Sequence, residues 1–284
     1  MVASWFEDEK KGTASGIYLM AGGMGQVFSL SITTAFLLPL FQFNWRFCFI
    51  FYSCFSAIIV ILWIFIARER ESSKNSPNRS VSLKPIKQIF LNRSVLGLCL
   101  IIFFAFSVLM GLTNYMNDLV AAKGLTNPIY LYLASILSLG IALGNVTLPP
   151  ISDILKKRKY FLVLCSIVAT IFLLLLQLIG IGEIIWFLIF FLGLMIGSII
   201  PLCLTISIEI KDFSRDLAAT ISGLVLTFGF LGSFTVNLIF GVILTAGVAF
   251  LFCLIYLMAF GTLAFGLSWF QKEREVIEDI DSNT

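Results

Sequence analysis

The chain has 284 residues, of which 59% are hydrophobic and 12% charged, and its net charge is +3. So little charge cannot clothe a water-soluble core of this length, because soluble domains are roughly a quarter charged, so the bilayer must be the solvent. The chain has no histidine, and none of its six cysteines forms a CxxC pair. Metal and disulfide readings therefore lack support, and no cofactor is expected. The small positive excess belongs to membrane topology rather than to nucleic acid.

Eight apolar runs follow one another: 12–39, 46–67, 95–119, 128–150, 160–181, 184–210, 217–240 and 243–269. At ~1.5 Å rise per residue each can cross ~30 Å of hydrocarbon. They predict an all-α polytopic membrane protein with eight transmembrane helices. Every Lys and Arg except Arg46 and Lys123 falls on one side of these runs. Positive residues stay inside, so the residues before the first run, the 68–94 linker and the 270–284 tail are expected to be cytoplasmic, in a multi-pass protein of the cell membrane.

The first run carries Gly16, Gly22, Gly25 and Gln26. A shift of 207 positions places Phe6, Thr13, Gly16, Leu19, Gly22 and Gly25 on Phe213, Thr220, Gly223, Leu226, Gly229 and Gly232. The first and seventh runs therefore read as one element used twice, a parallel repeat of the kind that relates the halves of some transporters. Ordinary small-residue packing is the alternative. In the linker, residues 68–79 are too polar to pack. Ser82 then offers a cap for a short helix in which Ile86, Ile89 and Phe90 share a face, either lying on the membrane surface or forming part of a plain tether.

The third run ends in Asn114, Tyr115, Met116, Asn117 and Asp118. Asp118 could bind a cationic group or carry a proton, or it could simply cap the span in water. Deeper amides need partners or water, so Gln26, Asn145 and Asn237 are candidates for a polar cavity or for interhelical bonds. Two GxxxG spacings, Gly140 to Gly144 and Gly193 to Gly197, allow close helix approach, with hinge motion as the alternative. Pro201 removes a hydrogen-bond donor from the sixth run and should loosen it.

These segments together resemble the major facilitator superfamily. Residues 3–16 are similar to the charged loop and start of that family's fifth helix, and Asn44-Trp45-Arg46 to the turn before its sixth. Pro149-Pro150-Ile151-Ser152-Asp153-Ile154-Leu155-Lys156-Lys157-Arg158-Lys159 stands where the family repeats its GxxxDRxGRR motif. Asp153 and the basic cluster match, while Pro149, Ile154 and Lys156 depart from the pattern. The resemblance covers essentially the whole chain as helices five to twelve.

The resemblance implies a remnant of the first helical half over 1–67, a linker at 68–94, a six-helix second half over 95–269 and a tail at 270–284. Helices one to four would be absent, as in a fragment, or supplied by another polypeptide. The third run would be the cavity-lining helix seven, which makes Asn114, Asn117 and Asp118 candidate contacts for a solute. Asp153, Lys156, Lys157 and Arg158 would brace one conformation by charge pairing rather than touch solute. Where the family's antiporters carry Gly-Pro, Ser29-Leu30 stands, which disfavours antiport.

The function expected from this reading is secondary transport of a small solute, with or without a coupled proton or ion. The alternative is a non-transporting membrane partner or a decayed fragment of such a transporter. No nucleotide-binding GxxxxGK[ST] run is present, and no paired carboxylates or assisted nucleophile suggests an intramembrane enzyme.

Overall fold

The computed structural model describes residues 11–66, 89–90, 92–122, 124–125, 127–155, 158–178, 183–208 and 217–245. Its main helices are α1 (Lys11–Ile32), α2 (Trp45–Ile66), α3 (Arg93–Asn114), α4 (Met116–Ala122), α5 (Leu133–Leu155), α6 (Arg158–Leu178), α7 (Ile184–Ile208) and α8 (Ala218–Thr245). There is no strand among the described residues. Seven helices are long and apolar enough to cross a membrane: α4 is too short, and α1 gains length by running on through a π turn at Thr33–Leu37 to Leu40. The eighth apolar run lies outside the described residues from position 246 onward.

The sequence boundaries shift in three places. The third run breaks at Tyr115, whose φ of −109° leaves the helical range and starts the separate α4. Nothing in the apolar pattern announces that break. The fourth run continues through Pro149 and Pro150 to Leu155, so Asp153 stands in the last turn of a helix rather than in a loop. Ser152 Oγ donates to the Pro149 carbonyl at 2.7 Å and so adds a bond within the last turns of α5. The seventh run does not stop at 240, because Gly241 alone is too weak a breaker and α8 carries on to Thr245. Of the predicted linker helix only Ile89 and Phe90 are described. Both are helical, Ile89 is 1% exposed and Phe90 faces Phe228 with ring centroids 6.4 Å apart.

The centre of the bundle is α7, which packs most extensively on α5 and then on α6, with further contacts to α3, α8 and α1. The remaining large contacts are α3 on α8 and α1 on α5. Apolar side chains fill the interior, Leu98, Ile102, Leu137, Ile189 and Leu192 among them. In lipid such packing holds by dispersion and shape rather than by a hydrophobic force between helices. Asn92 starts α3 by accepting from the amides of Ser94 and Val95 at 2.9 and 3.3 Å.

Against this bundle α2 stands almost alone. It is apolar all round and exposed along its length, with Cys48 its one fully buried side chain. Its polar tie is Tyr52, whose hydroxyl lies 2.7 Å from Thr33 Oγ1 and donates to the Ser29 carbonyl at 3.2 Å. The turn from α1 to α2 closes with Phe43 N bonding the Leu38 carbonyl at 2.7 Å and Gln42 N bonding Pro39 at 3.2 Å. That geometry needs left-handed residues, and Gln42 and Phe43 supply them at φ 50° and 61° where glycine is the usual choice. Replacing Gln42 with glycine should therefore stabilise the protein by about 1 kcal/mol. A thermal unfolding midpoint in detergent that fails to rise would show that the turn carries no such cost.

Candidate functional site

Two clusters of the predicted residues come together, at different depths. At the α3–α4 break, Asn114 Nδ2 donates to Asn237 Oδ1 at 2.9 Å. Asn237 Nδ2 in turn donates to the Ser233 carbonyl at 2.8 Å, and Tyr115 Oη donates to the Asn237 carbonyl at 3.1 Å. Tyr115 also packs on Phe240, with centroids 4.9 Å apart. The α3 helix thus ends on α8 through a polar clasp, with Asn114 left exposed and Asn237 half-buried. Asn117 and Asp118 follow in the first turn of α4, both exposed. The clasp offers amide donors and acceptors, with one carboxylate a turn away. The sequence places Tyr115 at the end of the third run with Asn114, but no local signal could pair it with a residue 122 positions later.

The second cluster is the crossing of α5 and α7. A Cβ on Gly140 would strike the Phe190 carbonyl and the Leu194 amide, and one on Gly144 would strike the Leu194 carbonyl. From the other side, a Cβ on Gly193 would meet the Leu137 carbonyl and one on Gly197 the Ile141 carbonyl. All four are backbone contacts, so the two helices touch main chain to main chain. Ser198 Oγ reinforces the crossing by donating to the Gly144 carbonyl at 2.9 Å and to Leu194 at 2.8 Å. Pro201 is buried a turn further on in an unbroken α7, and Thr205 Oγ1 donates to its carbonyl at 2.8 Å. Asn145, beside Gly144, is 4% exposed, and its Oδ1 has no hydrogen-bond partner.

On another face of α5, α1 approaches closely. A Cβ on Gly23 would stand 2.9 Å from Ala142, and Ser31 Oγ donates to Ser135 Oγ at 3.1 Å. Gln26 is half-buried on α1, and Gly16 lies in the same helix. Among the described residues nothing lies within 4 Å of a Cβ on Gly22 or Gly25. Their counterparts under the 207-residue shift behave otherwise: Gly229 seats the Phe106 ring, and Gly232 seats the Phe103 carbonyl and Ser107, all on α3. One repeat has its partner helix in place, and the other presents an open glycine face.

At the end of α5, Asp153 Oδ1 accepts from Arg158 Nε at 2.8 Å across the turn into α6. The Asp153 and Arg158 side chains are 10% and 13% exposed. A charge pair this buried is costly to break, because the surviving partner would keep its desolvation penalty. Lys156 and Lys157 lie outside the described residues. A small void between α3, α6 and α7 is lined by Phe104, Val108, Leu173 and Ile199 with Ser166 and Thr170. Both hydroxyls donate to their own helix, so the void offers no free donor and is remote from the amide clasp. Among the described residues no cluster of His, Cys, Asp or Glu could hold a metal.

Two similarities to known proteins bear on this arrangement. The sequence profile of the Major Facilitator Superfamily matches residues 1–237. An uncharacterized protein of Archaeoglobus fulgidus is 24% identical over 190 residues, which is 66% of this chain and 85% of that relative.

Proposed function

Because the chain belongs to the major facilitator superfamily, we propose that it acts in secondary transport, moving a small solute by alternating access between two helical halves. Its spans then correspond to helices five to twelve, with 1–67 belonging to the first half, 68–94 linking, 95–269 forming the second half and 270–284 the tail. The observation that carries this reading is the clasp of Asn114 and Asn237. Asn114, exposed, and Asn237, half-buried, hold two hydrogen-bonded amides near the ends of two membrane helices, and they make sense at the mouth of a water-filled solute path. Gln26, Asn117, Asp118 and Asn145 join them as candidate contacts, while Asp153 and Arg158 brace the end of α5. Pro201 and the glycines of the α5–α7 crossing set helix packing.

Two features support a first half completed by further helices. The face of α1 bearing Gly22 and Gly25 is open where its repeat counterpart is filled by α3. In addition, α2 is exposed along its length while spanning the membrane. The same features also suit the second reading, a non-transporting membrane partner or a decayed fragment of such a transporter. Uptake into vesicles, measured with and without a co-expressed segment of four further spans, separates the two.

We place both termini and the linker in the cytoplasm of a cell membrane, on the strength of the one-sided Lys and Arg distribution. On a cysteine-free background, Asn75→Cys should resist a membrane-impermeant thiol reagent in intact cells and react once they are permeabilised. Reaction in intact cells would reverse the orientation.

A further inference from the structure

Three prolines free backbone acceptors at one level of the α5–α7 crossing. Pro149 and Pro150 have no N–H to give to the carbonyls four residues earlier, those of Asn145 and Val146, and Pro201 has none for the carbonyl of Gly197. The Ser198 Oγ bond to the Gly144 carbonyl, at 2.9 Å, sets residues 197–198 of α7 beside residues 144–145 of α5. The nearby hydroxyls do not compensate. Thr147 donates to Leu143, Ser152 to Pro149, Ser198 to Gly144 and Leu194, and Thr205 to Pro201. Beside these carbonyls, which lack their i+4 donors, the side chain of Asn145 adds Oδ1, itself buried and without a hydrogen-bond partner among the described residues. Ala142, one turn before Asn145, meets Gly23 of α1, and Gly144 meets Leu194 of α7. The amide is therefore enclosed where both helices approach α5.

A buried acceptor with no donor costs about as much as a lost hydrogen bond, and such a group in a native fold calls for an explanation. Here that amide oxygen and the carbonyls deprived of their proline donors stand near the middle of two membrane helices. Oxygens without donors suit a positive charge. Neutral carbonyl and amide oxygens, with no carboxylate among them, suit a hard monovalent cation better than a divalent one, since divalent sites recruit carboxylates. In other transporter folds sodium is held by backbone carbonyls of helices at segments where the i+4 bonding is broken.

We propose that Asn145 Oδ1, together with the proline-freed carbonyls of Asn145, Val146 and Gly197, forms a binding site for a hard monovalent cation at the seam of α1, α5 and α7. Only the ion's use in coupling rests on the transport reading. Binding itself is measured without transport, so a chain that binds the ion yet takes up no solute even with a co-expressed segment of four further spans would refute transport and leave the site standing.

The test is thermal unfolding of the purified chain in detergent at equal ionic strength in sodium, potassium or choline chloride. Sodium or potassium should raise the midpoint over choline by about 2–4 °C in a saturable manner, as expected for a ligand present at several times its Kd. Asn145→Leu should abolish the difference. Pro149→Ala returns an N–H to the Asn145 carbonyl and should shrink the difference, while Asn145→Asp adds a negative charge and should enlarge it. Equal midpoints in the three salts, or a difference that survives Asn145→Leu, would overturn the site and leave the amide to a buried water. If Asn145→Leu does not fold, the other two substitutions decide, and an unchanged salt difference in both would overturn the proposal.

Discussion

Replacing Gly144 with leucine is expected to destabilise the protein by about 3 kcal/mol, the upper end of the ordinary cost of overpacking. The size follows from what the new side chain would meet. A Cβ at Gly144 runs into the carbonyl, carbonyl carbon and Cα of Leu194. Backbone atoms inside a helix cannot step aside by changing rotamer, so α5 and α7 must separate as bodies. Separation would also break the Ser198 bond to the Gly144 carbonyl and loosen the most extensive contact in the bundle. Gly140, Gly193 and Gly197 should behave in the same way. Gly223 supplies the control, since nothing lies within 4 Å of its Cβ. Gly223→Ala should be neutral or stabilise by up to about 1 kcal/mol through helix propensity. Unfolding of both variants by a denaturing detergent checks the contrast. A Gly144→Leu protein that unfolds alongside the parent would mean that the two helices are not in main-chain contact.

How much of this was legible beforehand depends on how local each feature is. The GxxxG spacings of Gly140–Gly144 and Gly193–Gly197 mark close approach, because residues four apart share a helix face. Which helices would meet was not written there, and pairing Gly140 with Gly193 needed the fold. Helix existence followed from apolar length, so the seven described spans fall close to the predicted runs. The ends were harder to read. Pro149 and Pro150 look like a stop, but α5 runs past them to Leu155. Tyr115 looks like part of a continuous run, and the break there comes with tertiary bonds to Asn237 and packing on Phe240. The acceptor cluster at Asn145 was half legible. Proline removes donors wherever it stands, but only the fold brings the Pro201 gap beside those of Pro149 and Pro150. The repeat of glycines was readable from the register alone. The contrast between a filled face on α8 and an open one on α1 was not.

That contrast leads to the experiment with the largest effect. If α1 is the repeat of α8, the surface holding Gly22 and Gly25 should receive a helix as Gly229 and Gly232 receive α3, through a phenylalanine ring and a main-chain carbonyl. Without that helix, the clasp at Asn114 and Asn237 faces a groove lacking its opposite wall, and a solute cannot be enclosed there. The chain reconstituted alone is therefore expected to show no saturable uptake of any small solute tried, together with a low unfolding midpoint. Co-expression with a segment of four spans from a full-length relative of the same family should restore both uptake and thermal stability. Gly22→Leu combined with Gly25→Leu makes the test specific. Those side chains project into open space in the chain by itself, so its stability should hardly change, yet they should block rescue by filling the face where the incoming helix must seat. Rescue that is indifferent to the double substitution would place the added spans elsewhere. Robust, saturable uptake by the 284-residue chain as a monomer would replace the two-half reading with a smaller, self-sufficient transporter.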